Sequence, residues 1–183
     1  MNDFITIYKS AIDNDTCAEI VNMLEKGKWN RSLVYDNQNQ DMLKAVESER
    51  RTCDAFDRTQ YLYHKIYSMI DPIISEKLFN YIDKFEVELA QKQEIVGYNI
   101  LRYKVGQQAV LHCDDGIGVH RRVSSLLYIN EDFTGGELFF DKLKIKYSPK
   151  AGDILFFPSS FPFSHEAKAV QSGTKYCVVR FWN

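Results

Sequence analysis

At 183 residues, with 45% hydrophobic and 14% aromatic residues, the chain suits one domain with a sizeable core. A formal net charge of −2 supplies no basic excess for a nucleic acid or an anionic membrane, and no apolar run approaches the roughly 20 residues of a membrane helix. The N-terminal stretch lacks the basic and apolar regions of a signal peptide, and Cys17, Cys53, Cys113 and Cys177 form no C-x-x-C pair, so neither a zinc site nor a disulfide framework is indicated and a reduced, cytoplasmic protein is expected.

In chain order, Phe4 to Tyr8 alternates like a short strand. Asp13 or Asp15 then caps a predicted helix whose apolar face is Cys17, Ile20, Val21 and Leu24. Residues 31–52 are polar, with Asn37 to Gln40 an expected exposed loop; the segment is either a mobile wall beside a site or plain surface. Tyr61 to Phe85 has helical periodicity through Leu62, Ile66, Ile70, Ile73, Ile74, Phe79 and Ile82, with an expected interruption at Asp71-Pro72.

Beyond about Glu94 the texture changes to short strands and turns. Val96–Tyr103, Ser124–Asn130, Glu137–Phe140, Lys144–Tyr147, Asp153–Phe157 and Thr174–Trp182 are the predicted strands. Thr134-Gly135-Gly136, Pro149–Asp153 and Gln171-Ser172-Gly173 are the turns between them. The expected fold is α+β: a double-stranded β-helix (jelly-roll, cupin-like) core over about 91–183, with N-terminal helices from about 1–90 packed on one sheet, all within a single domain 1–183.

Of the four histidines, His112 is the informative one because Asp114 follows it. Residues two apart on a strand point to the same face, so a strand end can offer an imidazole and a carboxylate to one cation. With His165 downstream, the set is the two-histidine, one-carboxylate arrangement that leaves open positions on ferrous iron. H-x-D alone is a weak signal, and a strand histidine with a hydrogen-bonded ring would read the same way. Asp115 should point to the opposite face, His64 lies in a helical pattern, and His120 sits in a turn beside Arg121 and Arg122.

Further segments carry a resemblance. Tyr103-Lys104-Val105-Gly106 precedes His112, Arg122 to Asn130 ends in Tyr-Ile-Asn, and Gly135-Gly136-Glu137-Leu138 follows. Pro149-Lys150-Ala151-Gly152 leads into a strand, and Val170, Gly173 and Lys175 follow His165. In this order they resemble the prolyl 4-hydroxylase-like branch of the 2-oxoglutarate/Fe(II)-dependent dioxygenases, over roughly residues 97–182, with a weaker echo at 6–26 and around Arg51.

The resemblance implies Fe(II) at His112, Asp114 and His165, with 2-oxoglutarate and O2 as cosubstrates and ascorbate as a candidate addition. It implies that Lys175, ten residues after His165, pairs with the far carboxylate of 2-oxoglutarate, helped by the hydroxyls of Tyr103 and Tyr128. Both tyrosines would equally suit a core, and Arg180 is the fallback cation, at the opposite strand parity. Arg122 is a candidate support or substrate residue. Phe181 stands where many prolyl hydroxylases have tryptophan, faces the expected pocket and is a second candidate; Leu138 replaces the threonine of Gly-Gly-Glu-Thr.

The implied reaction is hydroxylation of an unactivated C–H bond, foremost in a peptidyl proline. The alternatives are an oxygenase for a free amino acid, another protein side chain or a small metabolite, and, from a different class, a catalytically idle jelly-roll binding module. A peptide or protein partner is expected, with a small molecule as the alternative.

Overall fold

The computed structural model describes residues 3–32, 34–36, 44–46, 51–89, 97–116 and 120–183, with the backbone alone for 34–36 and 44–46. The first half comprises β1 (Thr6–Tyr8), α1 (Asn14–Lys26), β2 (Trp29–Arg31), β3 (Val34–Asp36), β4 (Lys44–Val46), β5 (Asp54–Phe56) and α2 (Tyr61–Phe85). Then follow β6 (Asn99–Tyr103), β7 (Ala109–His112), β8 (Val123–Tyr128), β9 (Thr134–Gly135), β10 (Leu138–Phe140) and β11 (Ile145–Tyr147). The chain closes with β12 (Ile154–Pro158), β13 (His165–Ala167), β14 (Val170–Ser172) and β15 (Lys175–Trp182).

Two antiparallel sheets face each other as a jelly roll. The larger has the order β1-β12-β8-β15-β6-β5-β2, the smaller β11-β10-β13-β7. Strand alternation divides the large sheet's side chains between two cores. Ile100, Leu127, Ile154, Phe156, Val178 and Trp182 point outward and pack with Ile20 and Leu24 of α1 and Ile66, Ile70 and Ile74 of α2. Leu101, Tyr103, Leu126, Tyr128, Phe157 and Cys177 point inward and meet Leu138 and Phe140 of the smaller sheet. The expected fold class, with helices on one sheet, is therefore present. No helix among the described residues is long and apolar enough to cross a membrane.

The N-terminal half departs from a purely helical support. β1 pairs with β12 at one end of the large sheet, and β5 pairs with β6 and β2 at the other. β1 falls within the predicted strand Phe4–Tyr8, whereas β2 and β5, three residues each, are too short to display an alternation that a sequence pattern would reveal. Within the expected loop 31–52 the backbone forms an antiparallel β3–β4 pair, while Asn37 to Gln40 lie outside the described residues, as does Val96 of the predicted strand Val96–Tyr103. Thr134-Gly135 is a two-residue strand against β14 and not simply a turn.

Asp13 is the residue that caps α1: its carboxylate accepts from Thr16 N and from Thr16 Oγ1, both at 2.8 Å. The expected break at Asp71-Pro72 is absent, and α2 runs unbroken through Pro72. A proline inside a helix removes one hydrogen bond and crowds the preceding turn, a loss of about 3 kcal/mol. Ile66, Ile70 and Ile74 are buried on both sides of it, and their burial offsets that loss. Asp71 adds a tether to the sheet, accepting from Tyr98 OH at 2.8 Å and Arg180 Nη1 at 3.0 Å.

Because Pro72 is exposed within a continuous helix, Pro72→Ala should stabilise the protein. The gain expected is about 2 kcal/mol, the helix-propensity difference less the entropy restored to the unfolded chain. Urea denaturation reads this directly, and an unchanged or lower midpoint would contradict it.

Candidate metal centre and its cavity

β7 and β13 are neighbours, and their register sets His112 directly opposite His165. Asp114 lies two residues past His112, beyond the end of β7. It is therefore not held by strand parity, as the sequence pattern assumed, but by its own backbone: Asp114 N and Asp115 N both donate to Ser159 O at 3.0 Å. One ligand atom from each of His112, Asp114 and His165 lies within 4.8 Å of the others. His112 Nε2 is 3.3 Å from Asp114 Oδ1, and His165 Nε2 is 3.7 Å from Asp114 Oδ2.

The backbone also sets which ring nitrogens are available. His112 Nδ1 lies 2.8 Å from Val110 O, and His165 Nδ1 lies 3.0 Å from Phe163 O. A carbonyl oxygen only accepts, so each Nδ1 carries the proton and each Nε2 keeps a lone pair for a cation. The rings of Phe140 and Phe157 pack at 5.6 Å and 5.0 Å from that of His165 and fix its plane. The His112 side chain is 40% exposed at the mouth, whereas those of His165 and Asp114 are each 7% exposed.

Charge follows from this placement. Burial works to raise the Asp114 pKa, yet with a proton in place of a metal on each Nε2 the charge of His165 and the hydrogen bonds from His112 and Ser124 outweigh it, and the carboxyl is held far below its ordinary value. Burial pushes the His165 pKa down, with Asp114 opposing. At His112 burial also lowers, but Asp114 prevails and the pKa is raised. An ionised carboxylate with two Nε2 lone pairs fits a divalent ion of borderline hardness such as ferrous iron.

The trio opens into a cleft between the two sheets, with ≈ 540 Å³ of empty space including that open to solvent. Lys175 lines the same cavity and is only 2% exposed. Its one hydrogen bond among the described residues goes to Gly136 O at 2.7 Å. Gly136 has φ +67°, and a Cβ there would lie 3.1 Å from Lys175 Cδ, so the glycine is part of the lysine's bed as well as a turn. Burial lowers the Lys175 pKa, against the opposing charges of Cys177, Cys53 and Glu137. Lys175 Nζ also lies 5.1 Å from the Tyr103 ring centroid and 5.3 Å from that of Tyr128.

The cavity thus brings His112, Asp114, His165, Lys175, Tyr103, Tyr128 and Phe181 together. Arg122 and Arg180 stand apart from it. The Arg122 side chain is exposed while its backbone bonds to Trp182 and Ser159, and Arg180 faces α2, where it meets Asp71. The neighbouring Arg121 instead stacks its guanidinium 3.7 Å from the Phe181 ring centroid. His64 and His120 are exposed, and Asp115 accepts from Arg121 N.

Arg51 and Ser124 also line the cavity, and the sequence assigned a role to neither. Arg51 reaches it because its backbone bridges Ala109 of β7, a long-range pairing without a local pattern. The usable signal for Ser124 was a hydroxyl inside an otherwise apolar, fully buried strand, which demands a partner.

An antiparallel jelly roll that sets a His–Asp–His trio at one end of a cavity and a buried lysine within it has the architecture of a non-haem iron, oxo-acid-dependent oxygenase. Residues 98–183 match the model of the 2OG-Fe(II) oxygenase superfamily. Human prolyl 3-hydroxylase 2 is 40% identical over 67 residues, covering 34% of this chain and 9% of the relative. The chain therefore spans less than a tenth of that curated relative's length, at 9%. A prolyl-4-hydroxylase of Pseudomonas putida shares the fold with a TM-score of 0.67 at 16% identity, covering 100% of this chain and 93% of that one. A Trichoplax adhaerens prolyl hydroxylase, solved with a peptide fragment of the hypoxia inducible factor oxygen degradation domain, gives 0.66 at 17%, covering 99% and 84%. Fe(II), 2-oxoglutarate and O2 are the cofactor and cosubstrates that the match implies, and the donor set and the buried Lys175 fit them.

Two results are expected. His112→Ala and Asp114→Ala should each weaken Mn(II) binding, measured by calorimetry, by more than the ~100-fold that loss of an outer-shell contact brings; unchanged affinity in both would move the metal elsewhere. Lys175→Met should abolish 2-oxoglutarate binding yet raise the melting temperature of the ligand-free protein at neutral pH. A lysine pKa lowered in the folded state means that the unfolded chain binds more protons between that value and 10.5, so wild-type stability rises with pH across this window. The stability gap to Lys175→Met should therefore narrow as pH rises towards 10.5, and a less stable variant would refute the buried charge as a burden.

Proposed function

We propose that this oxygenase hydroxylates prolyl residues in a peptide or protein, at C4. The observation that carries the reading is the shared cavity: the trio stands at its mouth, Lys175 lies buried within it, and Phe181 under Arg121 lines it. An iron bound at the trio would supply oxygen activation coupled to decarboxylation of 2-oxoglutarate.

The chain's own residues supply binding and orientation. Lys175 neutralises the far carboxylate of the cosubstrate, and Tyr103 and Tyr128 wall that end against water. A buried carboxylate left unpaired there would be costly, so Lys175 selects a dicarboxylate of matching length. His112, the most exposed member of the trio, marks where a substrate too large to enter the cavity would meet the metal. Hydrogen abstraction needs no acid–base side chain, and none is assigned.

The names of the similar proteins support a prolyl substrate but divide over the ring position. Segment matches include human prolyl 3-hydroxylase 2 and the "Putative prolyl 4-hydroxylase" of Acanthamoeba polyphaga mimivirus, and the Pseudomonas putida structure is of a prolyl-4-hydroxylase. Hydroxylation at C3 is thus the second reading. A free amino acid or small metabolite would not need an exposed metal ligand, and an idle binding module would have no use for both the trio and a buried lysine.

The test begins with an anaerobic titration with Fe(II) and 2-oxoglutarate, where a weak visible charge-transfer band, lost in His112→Ala, is expected. Proline-containing peptides and free proline are then offered, and a mass gain of one oxygen on peptide but not on free proline is expected. Amino-acid analysis of the hydrolysed product separates 4-hydroxyproline from 3-hydroxyproline. A bound chromophore with no peptide oxidised would keep the oxygenase and sink the prolyl substrate.

A further inference from the structure

Ser124 occupies an unusual place for a hydroxyl. Every residue of β8 is buried, and Ser124 itself is 1% exposed, paired in register with Phe181 on one side and Phe157 on the other. A hydroxyl in such surroundings is unfavourable unless its hydrogen bond is made. Ser124 makes it to the candidate metal ligand: Oγ donates to Asp114 Oδ2 at 2.6 Å. Ser159 Oγ, on a residue also 1% exposed, lies 2.7 Å from Ser124 Oγ.

The proton count orients this chain of groups. Ser124 has one hydroxyl proton, and an ionised Asp114 can only accept, so that proton points to Asp114. The Ser159 hydroxyl must then be the donor to Ser124. A serine that is itself receiving a hydrogen bond is a better donor, so Ser159 strengthens the grip on Oδ2. Ser159 holds the same carboxylate by a second route, since its backbone oxygen accepts from Asp114 N and Asp115 N, and its own N donates to Arg122 O. Two buried serines of the large sheet, one in β8 and one just past the end of the neighbouring β12, thus reach across to a ligand that follows the edge strand of the smaller one.

We propose that Ser124, backed by Ser159, is a positioning residue that holds Asp114 Oδ2 by one of its lone pairs and so turns Oδ1, 3.3 Å from His112 Nε2, towards the metal. The consequence lies in the coordination number. A carboxylate with both oxygens free can chelate a metal and fill a position that the cosubstrates require, whereas a hydrogen bond to Oδ2 makes that oxygen the weaker donor and favours a single bond through Oδ1. Ser124 in this role sets both metal affinity and the number of positions left open. The inference rests on the metal-site reading above, and the experiment separates the two.

Wild type, Ser124→Ala, Ser124→Thr and Ser159→Ala are titrated with Mn(II) by calorimetry and loaded with Co(II) for visible spectroscopy, with thermal melts as a check on folding. Ser124→Ala is expected to weaken Mn(II) binding by about tenfold or more, the range for losing an outer-shell partner of a ligand. Its Co(II) bands should change in intensity as the carboxylate turns and the coordination number changes. Ser124→Thr keeps the hydroxyl and should restore both readouts, and Ser159→Ala should fall between wild type and Ser124→Ala. If Ser124→Ala does not fold, Ser159→Ala carries the test alone, through the same affinity and spectrum. Unchanged affinity and an unchanged Co(II) spectrum in the folded variants would overturn the positioning role while leaving the metal site standing. Failure of the wild type to bind either metal would instead overturn the metal-site reading.

Discussion

The site depends on the antiparallel placement of β15 between β8 and β6. That register sets Lys175 beside Tyr103, and Cys177 between Leu101 and Tyr128. It sets Phe181 beside Ser124. Since neighbours across a strand share a face, Lys175, Cys177, Val179 and Phe181 all enter the cavity, and Tyr176, Val178 and Trp182 turn to the helices. A slip of one residue would exchange the two sets: Arg180 would enter and Lys175 would be driven into the apolar contact with α1 and α2. The two buried helices protect this register, because only one parity of β15 matches their apolar faces.

The cavity concentrates charge in a low-dielectric space. Asp114 is ionised against its burial because Ser124 and, with a proton on Nε2 in place of a metal, His165 and His112 hold it so, and each histidine turns Nε2 to the site because a backbone carbonyl two residues earlier accepts from Nδ1. Lys175 has a carbonyl and two aromatic faces for company, but no carboxylate within salt-bridge distance among the described residues. That imbalance destabilises the empty protein and favours an incoming dianion. A stability deficit at a functional position is common, and here it has a definite source, a cation 2% exposed with no salt-bridge partner among the described residues.

Ser124, Ser159 and Arg51 illustrate how the smaller parts of the site arise. None belongs to a spaced motif with the ligands. Ser159 meets Asp114 because the loop after β12 runs beside the end of β7, and Arg51 meets the cavity because its backbone bridges that strand. Their roles come from adjacency between segments distant in the chain, which neither periodicity nor spacing records.

The sequence by itself determined the fold class, the α1 cap region, most of the C-terminal strands and the residues that converge on the cavity. It could do so because strand parity and turn residues are local properties, and because the ordered segments from Tyr103 to Lys175 limit the arrangements available. The continuity of α2 through Pro72, the strands β2 and β5, and the exchange of Arg122 for Arg121 at the Phe181 wall were decided by tertiary structure. In each case the deciding energy is burial or pairing with a remote partner. It outweighs a local propensity at Pro72, and it supplies order where three-residue segments have too little pattern of their own.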